Sequence, residues 1–320
     1  MDGEDAAVRY SVVVPLYRGH DTIDELCAQL IGFFESRDES FEIILVDDAS
    51  SDGSWDRAID LAHEDSRIVG ARLTRNFGQH NAVLAGFRLV RGEYVVTLDE
   101  DLQHPPSEIE KLIECQAIND ADVVYGVPEA RQQRWWRRVG AWIAMMIPRR
   151  VMGVDFEISS FRLVRSEIAR EVTKATRYDV IIDVYLAWLT ERFAAVKIRH
   201  EPSARGSSYS PLMLVSVLLR LVYNYTVLPL RISTFLGILL AVLSLGLALY
   251  FVIVYLSQNV GVPGFTALIV SILFSTGVIL IGIGMVSEYL ARTFLHVIGK
   301  PQAVIRITTR ELDREPRADD

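Results

Sequence analysis

Between Ile232 and Ser287 the chain carries no Asp, Glu, Lys or Arg. Two segments make up that stretch, Ile232–Leu256 and Phe265–Val286. Each reaches the roughly 20 apolar residues that cross a bilayer. Ser257-Gln258-Asn259-Val260-Gly261-Val262-Pro263-Gly264 forms a short polar turn between them. A two-helix transmembrane hairpin is expected, with a buried core hairpin as the bland alternative. Arg220 and Arg231 precede the first segment, Arg292, Lys300 and Arg306 follow the second, and the turn has no basic residue. The positive-inside rule then places both termini in the cytoplasm and the turn outside, in a multi-pass membrane protein.

The hairpin accounts for a mean hydropathy of +0.23 in a chain that is still 23% charged. Elsewhere the balance is acidic, with a net charge of -8 over 320 residues, which speaks against nucleic acid as a partner. Met1–Arg9 is polar and acidic, unlike a signal peptide. Cys27 and Cys115 fall in helical patterns and read as reduced core thiols of a cytoplasmic domain. Thr308–Asp320 is charged and apolar-poor, a composition expected to be disordered.

The first 130 or so residues alternate strand and helix patterns, as in a mostly parallel sheet covered on both faces. Tyr10–Val14, Glu42–Val46, Ile68–Leu73, Tyr94–Leu98 and Asp122–Tyr125 are β-branched runs, and Thr22-Ile23-Asp24-Glu25 reads as a capping box. Residues 1–208 form one α/β domain in this reading, 209–231 an amphipathic juxtamembrane helix, 232–290 the two membrane helices and 291–320 a cytoplasmic tail. Within the domain, 131–150 mixes Arg131, Arg134, Arg137 and Arg138 with Trp135, Trp136 and Trp142. That mixture suits a membrane interface, or equally a helix packed on the sheet with a solvated basic face.

Asp99-Glu100-Asp101-Leu102-Gln103 follows the strand Tyr94–Leu98 and precedes His104-Pro105-Pro106. Open α/β sheets bind ligands at the carboxyl ends of their strands. Asp99 and Asp101 are two apart and point the same way in extended backbone, with Gln103 continuing the series. Hard oxygen ligands suit Mg²⁺ or Mn²⁺, whose shell substrate phosphates usually complete. A solvated strand end that caps the next helix is the alternative. Asp47-Asp48 ends another strand and Val14-Pro15-Leu16-Tyr17 a third, so these could wall a base pocket, although Asp-Asp-Ala-Ser is also ordinary turn chemistry. No G-x-G-x-x-G follows the first strand and no G-x-x-x-x-G-K-[ST] occurs, so phosphates would be held by a metal and arginines.

Val12-Val13-Val14-Pro15-Leu16-Tyr17, Leu45-Val46-Asp47-Asp48-Ala49-Ser50, Arg75-Asn76-Phe77-Gly78-Gln79-His80 and Leu98–Pro106 together resemble glycosyltransferase family 2. The likeness is to its polyprenyl-phosphate branch and runs from about Tyr10 to Arg306, with Ser159-Ser160-Phe161-Arg162-Leu163 and Gly206-Ser207-Ser208-Tyr209-Ser210 similar to that branch's later motifs. The resemblance implies a GT-A fold, a divalent metal (Mg²⁺ or Mn²⁺), and inverting transfer of one sugar from a UDP- or GDP-sugar to a polyprenyl phosphate of undecaprenyl or dolichyl type. It also implies a plasma-membrane location. By position, Pro15, Tyr17, Asp47 and Asp48 would line the nucleoside pocket and Asp99, Asp101 and Gln103 would surround the metal and diphosphate. Arg131 and Arg162, with Arg205 near the later motif, would face the acceptor phosphate. Asp155 would orient sugar hydroxyls or serve as a turn residue. Gly19 stands where many members carry an acid, so one donor contact is expected to be missing.

No Ser/His/Asp constellation appears, and a phosphate acceptor needs none. A phosphomonoester with a second pKa near 6 is already largely a nucleophilic anion at neutral pH. Two rivals remain: a processive polysaccharide synthase and a non-catalytic membrane scaffold with a relict transferase domain. Gln132-Gln133-Arg134-Trp135 misses the synthase motif by one residue. Gly237, Gly246, Gly277, Gly282 and Gly284 permit close helix approach, which leaves a homo-oligomer such as a tetramer open.

Overall fold

The computed structural model describes residues 8–129, 156, 158–174, 181–199, 228–258, 264–297 and 301–312. Two compact units are present, residues 1–208 with 299–320, and residues 209–298.

The first unit is built on one eight-stranded sheet in the order β7-β5-β6-β4-β1-β2-β3-β8. β1 (Tyr10–Leu16), β2 (Phe41–Asp47), β3 (Ile68–Leu73) and β4 (Tyr94–Thr97) run parallel, joined through α1 (Ile23–Glu35), α2 (Ser54–Glu64) and α3 (Gln79–Phe87). A short 3₁₀ turn at Pro106–Glu108 and α4 (Ile109–Asn119) lead to β5 (Val123–Pro128). β6 (Arg162–Arg165) is antiparallel to both β4 and β5. α5 (Ser166–Thr173), α6 (Ile182–Leu189) and β7 (Phe193–Ile198) follow, with β7 parallel to β5. The sheet is mixed: most of its strands run parallel, as expected, and only β6 and the late strand β8 (Ile305–Thr308) enter antiparallel.

Every residue of β1 and β2 is buried, as expected where helices cover both faces. One face packs Val12, Val14, Ile43 and Leu45 against Leu26, Leu30 and Phe34 of α1. The other packs Val13, Ile44 and Val46 against Ala82, Val83 and Phe87 of α3. Each such side chain contributes about 1.5–3 kcal/mol when fully buried. α3 lies so close to β1 that a Cβ on Gly86 would come within 2.3 Å of Val13 Cγ1. Thr22 caps no backbone group of α1 with its side chain; its hydroxyl donates to the Gly19 carbonyl at 3.2 Å, so the expected capping box does not form.

Residues 301–312 are ordered, contrary to the disorder expected from Thr308 onward. β8 pairs with β3, and α9 (Thr309–Leu312) follows it. Gly70 N donates to Thr309 Oγ1 at 3.0 Å, and Arg310 Nη2 to buried Glu42 Oε2 at 2.8 Å. The C-terminal segment thus completes the sheet by covering the β3 edge, which would otherwise expose unpaired backbone groups.

The second unit holds α7 (Leu228–Gln258) and α8 (Phe265–Val297). Phe274–Ala291 of α8 is long and apolar enough to cross a membrane, and α7 carries a shorter apolar run at Leu230–Leu240. Gly282 of α8 lies against Ser233 of α7, where an added Cβ would be 3.6 Å from its Oγ. Phe235, Leu245, Ile279 and Leu290 are among the exposed large apolar side chains of these helices.

Candidate active site

β1 is flanked by β2 on one side and β4 on the other, so the chain winds outward from β1 to β3 and then crosses back to the far side of β1, where the strand order reverses. A crevice opens beyond the carboxyl ends of the strands at such a switch point. Here it is a cleft of about 310 Å³ lined by the four segments at the ends of β1 to β4. Pro15, Leu16 and Tyr17 come from the end of β1, Asp48 from β2, and Asp99, Glu100 and Asp101 from β4. Asn76, Gly78, Gln79 and Ala82 complete the lining. In the loops that follow β1, β2 and β4 a non-glycine residue takes a left-handed backbone: Arg18 at φ 61°, Ala49 at φ 56° and Leu102 at φ 57°. Such conformations cost of order 1–3 kcal/mol each and gather at functional sites.

The cleft is acidic. Among the described residues its lining contains Asp48, Asp99, Glu100 and Asp101 and no lysine or arginine. Asp99 Oδ2 accepts from Ser160 Oγ at 2.8 Å, and Oδ1 accepts from the Gln79 side-chain amide. Burial raises Asp99, opposed by the Ser160 hydrogen bond. Burial also pushes Glu100 up to about 7, helped by the charges of Asp99 and Asp101 and opposed by backbone N–H groups including that of Tyr17. Gln103 turns back on Asp101, its backbone N–H on Oδ1 at 3.1 Å and its side-chain amide on Oδ2.

Asp48 is committed to the neighbouring loop. Its two oxygens accept the backbone N–H groups of Phe77 and Gly78, each at 2.7 Å. Burial raises its pKa and those two hydrogen bonds lower it. Gly78, at φ 88°, starts α3 and thereby places Gln79 over Asp99. Asp47 does not border the cleft: it is fully buried, accepts the Ser50 backbone N–H at 3.0 Å and pairs with Arg72 Nε at 3.2 Å. Tyr17 is 45% exposed, its ring under the Arg18 guanidinium at 5.5 Å, and offers a face for a stacked base.

Arg162, expected to face an acceptor phosphate, has a different setting. It is fully buried in β6 and paired with Asp183 of α6, and its Nε donates to Thr97 Oγ1 at 3.2 Å. Burial opposes its charge, while Asp183 and then Tyr125 favour it, with a net upward shift. Arg131, Asp155 and Arg205 lie outside the described residues. His104 is buried with its ring stacked on Phe161 at 5.1 Å. Gln79 and Ser160 had no role in the sequence reading, although both sit inside the motifs quoted there.

A diphosphate would be repelled from a cleft with this lining unless a cation entered with it. The donors fit Mg²⁺ or Mn²⁺: hard carboxylate oxygens on Asp99 and Asp101, with Gln103 beside them. Among the described residues no group of three His, Cys, Asp or Glu side chains is arranged to hold a metal.

A family profile described as Glycosyl transferase family 2 matches residues 11–173. The chain is 31% identical over 307 residues to the undecaprenyl-phosphate 4-deoxy-4-formamido-L-arabinose transferase of Edwardsiella ictaluri (strain 93-146), covering 94% of each chain. Among solved structures, glucosyl-3-phosphoglycerate synthase from Mycobacterium tuberculosis in complex with Mn²⁺, UDP and phosphoglyceric acid aligns over 68% of this chain and 77% of that one, at TM-score 0.49 and 17% identity. S. aureus TarS with UDP-GlcNAc aligns over 68% and 67% at TM-score 0.42 and 14% identity.

Proposed function

The chain belongs to glycosyl transferase family 2 and is a glycosyltransferase using a nucleotide-sugar donor, and from that premise we propose that its acceptor is a polyprenyl phosphate held at the plasma membrane. The observation that carries this reading is the likeness to a polyprenyl-phosphate sugar transferase over 94% of the chain, apolar helices included. In the proposed topology α7 and α8 cross as a hairpin with both termini cytoplasmic, so the α/β domain shares the cytoplasmic compartment of its nucleotide-sugar donor. The product is a lipid-linked sugar that serves as donor for cell-envelope glycan or glycolipid modification.

The reaction breaks the bond between the sugar's anomeric carbon and the donor diphosphate. A new bond forms from that carbon to an acceptor phosphate oxygen, with inversion, and the electron pair leaves with the nucleoside diphosphate. Tyr17 and Pro15 receive the base. Asp99 and Asp101 hold Mg²⁺ or Mn²⁺ with the diphosphate, and the ion, when bound, supplies Lewis-acid neutralisation of the leaving group. Asp48 acts through the Phe77-Gly78 loop, which sets Gln79 on Asp99. Ser160 fixes the other Asp99 oxygen. Arg131 and Arg205 are proposed to clamp the acceptor phosphate, a task suited to the bidentate guanidinium fork, and Asp155 to orient the sugar. Aligning two mutually repelling anions is the larger part of the work, and no protein base is needed.

The test is a donor screen with membranes containing the protein and added undecaprenyl phosphate, reading lipid-linked sugar by mass spectrometry. One UDP- or GDP-sugar should give a product with one added sugar. A ladder of longer products would indicate a processive synthase, and no product with any donor would contradict the reading.

A further inference from the structure

Arg162 sits in the middle of three hydrogen-bonded strands, opposite Thr97 of β4 and Tyr125 of β5. Its surroundings are a closed polar network. Asp183, in the first turn of α6, pairs with the guanidinium and accepts from Tyr125 Oη at 2.9 Å. Arg162 Nε donates to Thr97 Oγ1, and Thr97 Oγ1 donates to the Ser160 carbonyl at 2.6 Å. Ser160 then donates its hydroxyl to Asp99. An unbroken chain of contacts runs from α6 through the sheet to a carboxylate of the cleft.

Stability alone does not explain this arrangement. A buried ion pair loses much of its Coulombic gain to desolvation, and apolar side chains of the same volume are often as stable or more so. What the network adds is orientation. Thr97 Oγ1 reaches the Ser160 carbonyl directly, and the hydrogen bond it accepts from Arg162 Nε turns its hydroxyl proton towards that carbonyl. Arg162 in turn keeps one place because Asp183 and the facing strands surround it.

We propose that Arg162, with Asp183, is a positioning residue that acts through Thr97 and Ser160 to hold Asp99 in its metal- and diphosphate-binding orientation. This rests on the reading of Asp99 given above. It replaces acceptor binding as the function of Arg162, whose guanidinium is 2% exposed and already balanced in charge. Partners that orient a metal-binding carboxylate typically change metal affinity by 10–100-fold when removed.

The test uses the full-length protein in detergent, titrated calorimetrically with UDP and separately with GDP at several Mn²⁺ concentrations. Thr97→Val keeps the shape and removes both hydrogen bonds; Thr97→Ser keeps the hydroxyl. The expected result is about tenfold weaker Mn²⁺-dependent nucleotide binding in Thr97→Val, recovery in Thr97→Ser, and a similar loss in Arg162→Lys, which cannot reach Thr97 and Asp183 together. Thermal unfolding of each variant in the absence of metal identifies any loss due to misfolding, and the Ser variant provides the comparison if the Val variant is unstable. Unchanged metal-dependent binding in a folded Thr97→Val would overturn the proposal. So would an Arg162→Lys variant that binds nucleotide normally but has a raised KM for undecaprenyl phosphate, since Arg162 would then be an acceptor ligand. Wild-type protein with no Mn²⁺-dependent binding of either nucleotide would instead overturn the metal reading of Asp99, and this inference with it.

Discussion

Asp48 accepts the backbone N–H of Gly78 at 2.7 Å, tying the residue just past β2 to the N-cap residue of α3. A second N–H, from Phe77, fills its other oxygen at the same distance. Asp48→Asn would set an amide NH₂ against one of those donors. The expected cost is about 1–3 kcal/mol of stability, the usual penalty for a buried group left unmatched. Donor KM should rise as well, because Gln79 loses its fixed place on Asp99. Chemical denaturation and steady-state kinetics on the same preparation check both effects.

The acidic cleft gives the metal-free protein a definite pH dependence. Asp47, Asp48 and Asp99 are all raised by burial, and Glu100 is raised to about 7. Between the ordinary carboxylate range and the raised values, the folded state binds protons that the unfolded chain has released. Stability is therefore greater at the acid end of that window and falls as pH rises through 7. Thermal unfolding in EDTA should show the fall, and Glu100→Gln should flatten it. Added Mn²⁺ should restore stability most at the alkaline end, where the carboxylates are free to bind it.

Cysteine reactivity separates the two thiols. Cys27 is buried in the core, and burial pushes its thiol up to about 12. Cys115 is half-buried and raised as well, with the Asn119 amide against its sulfur lowering it. Since the thiolate is the reactive form, maleimide at neutral pH should label Cys115 first and leave Cys27 untouched until the domain unfolds. Peptide mapping after a timed pulse reads the order.

The C-terminal segment should be indispensable to the catalytic domain although it follows the apolar helices in sequence. Deleting residues 301–312 removes β8 from the β3 edge and leaves Gly70 N without Thr309 and Glu42 without Arg310. The expected outcome is a lowered unfolding temperature and aggregation through the bared edge, not merely slower turnover. Size-exclusion chromatography and thermal unfolding of the deletion in detergent distinguish these outcomes.

The sequence was readable where local pattern decides structure. β1, β2 and β4 are apolar runs closed by turn residues, and strand ends at a switch point place Asp99, Asp101, Asp48 and Tyr17 around one cleft. It was not readable where a contact depends on residues remote in the chain. Arg162 was assigned to the acceptor phosphate by the resemblance of its motif alone, and its neutralising partner Asp183 belongs to another element. Asp47 and Asp48 looked equivalent, yet one lies beneath the turn and the other grips the Phe77-Gly78 loop. β8 escaped notice because four residues beside a charged tail carry too little pattern to outweigh composition. Gln79 and Ser160 gained meaning only once folding brought both against Asp99.

The most direct measurement compares undecaprenyl phosphate with undecaprenol as acceptor, using the active nucleotide sugar and membranes bearing wild-type protein or Asp101→Ala. Wild type should add one sugar to the phosphate and none to the alcohol, because the phosphate oxygen is the nucleophile. Asp101→Ala should lose about 10²-fold or more, the scale of removing one charge-stabilising group from an active site. Equal transfer to undecaprenol, or full activity in Asp101→Ala with metal present, would contradict a phosphate acceptor and a metal-bearing cleft respectively.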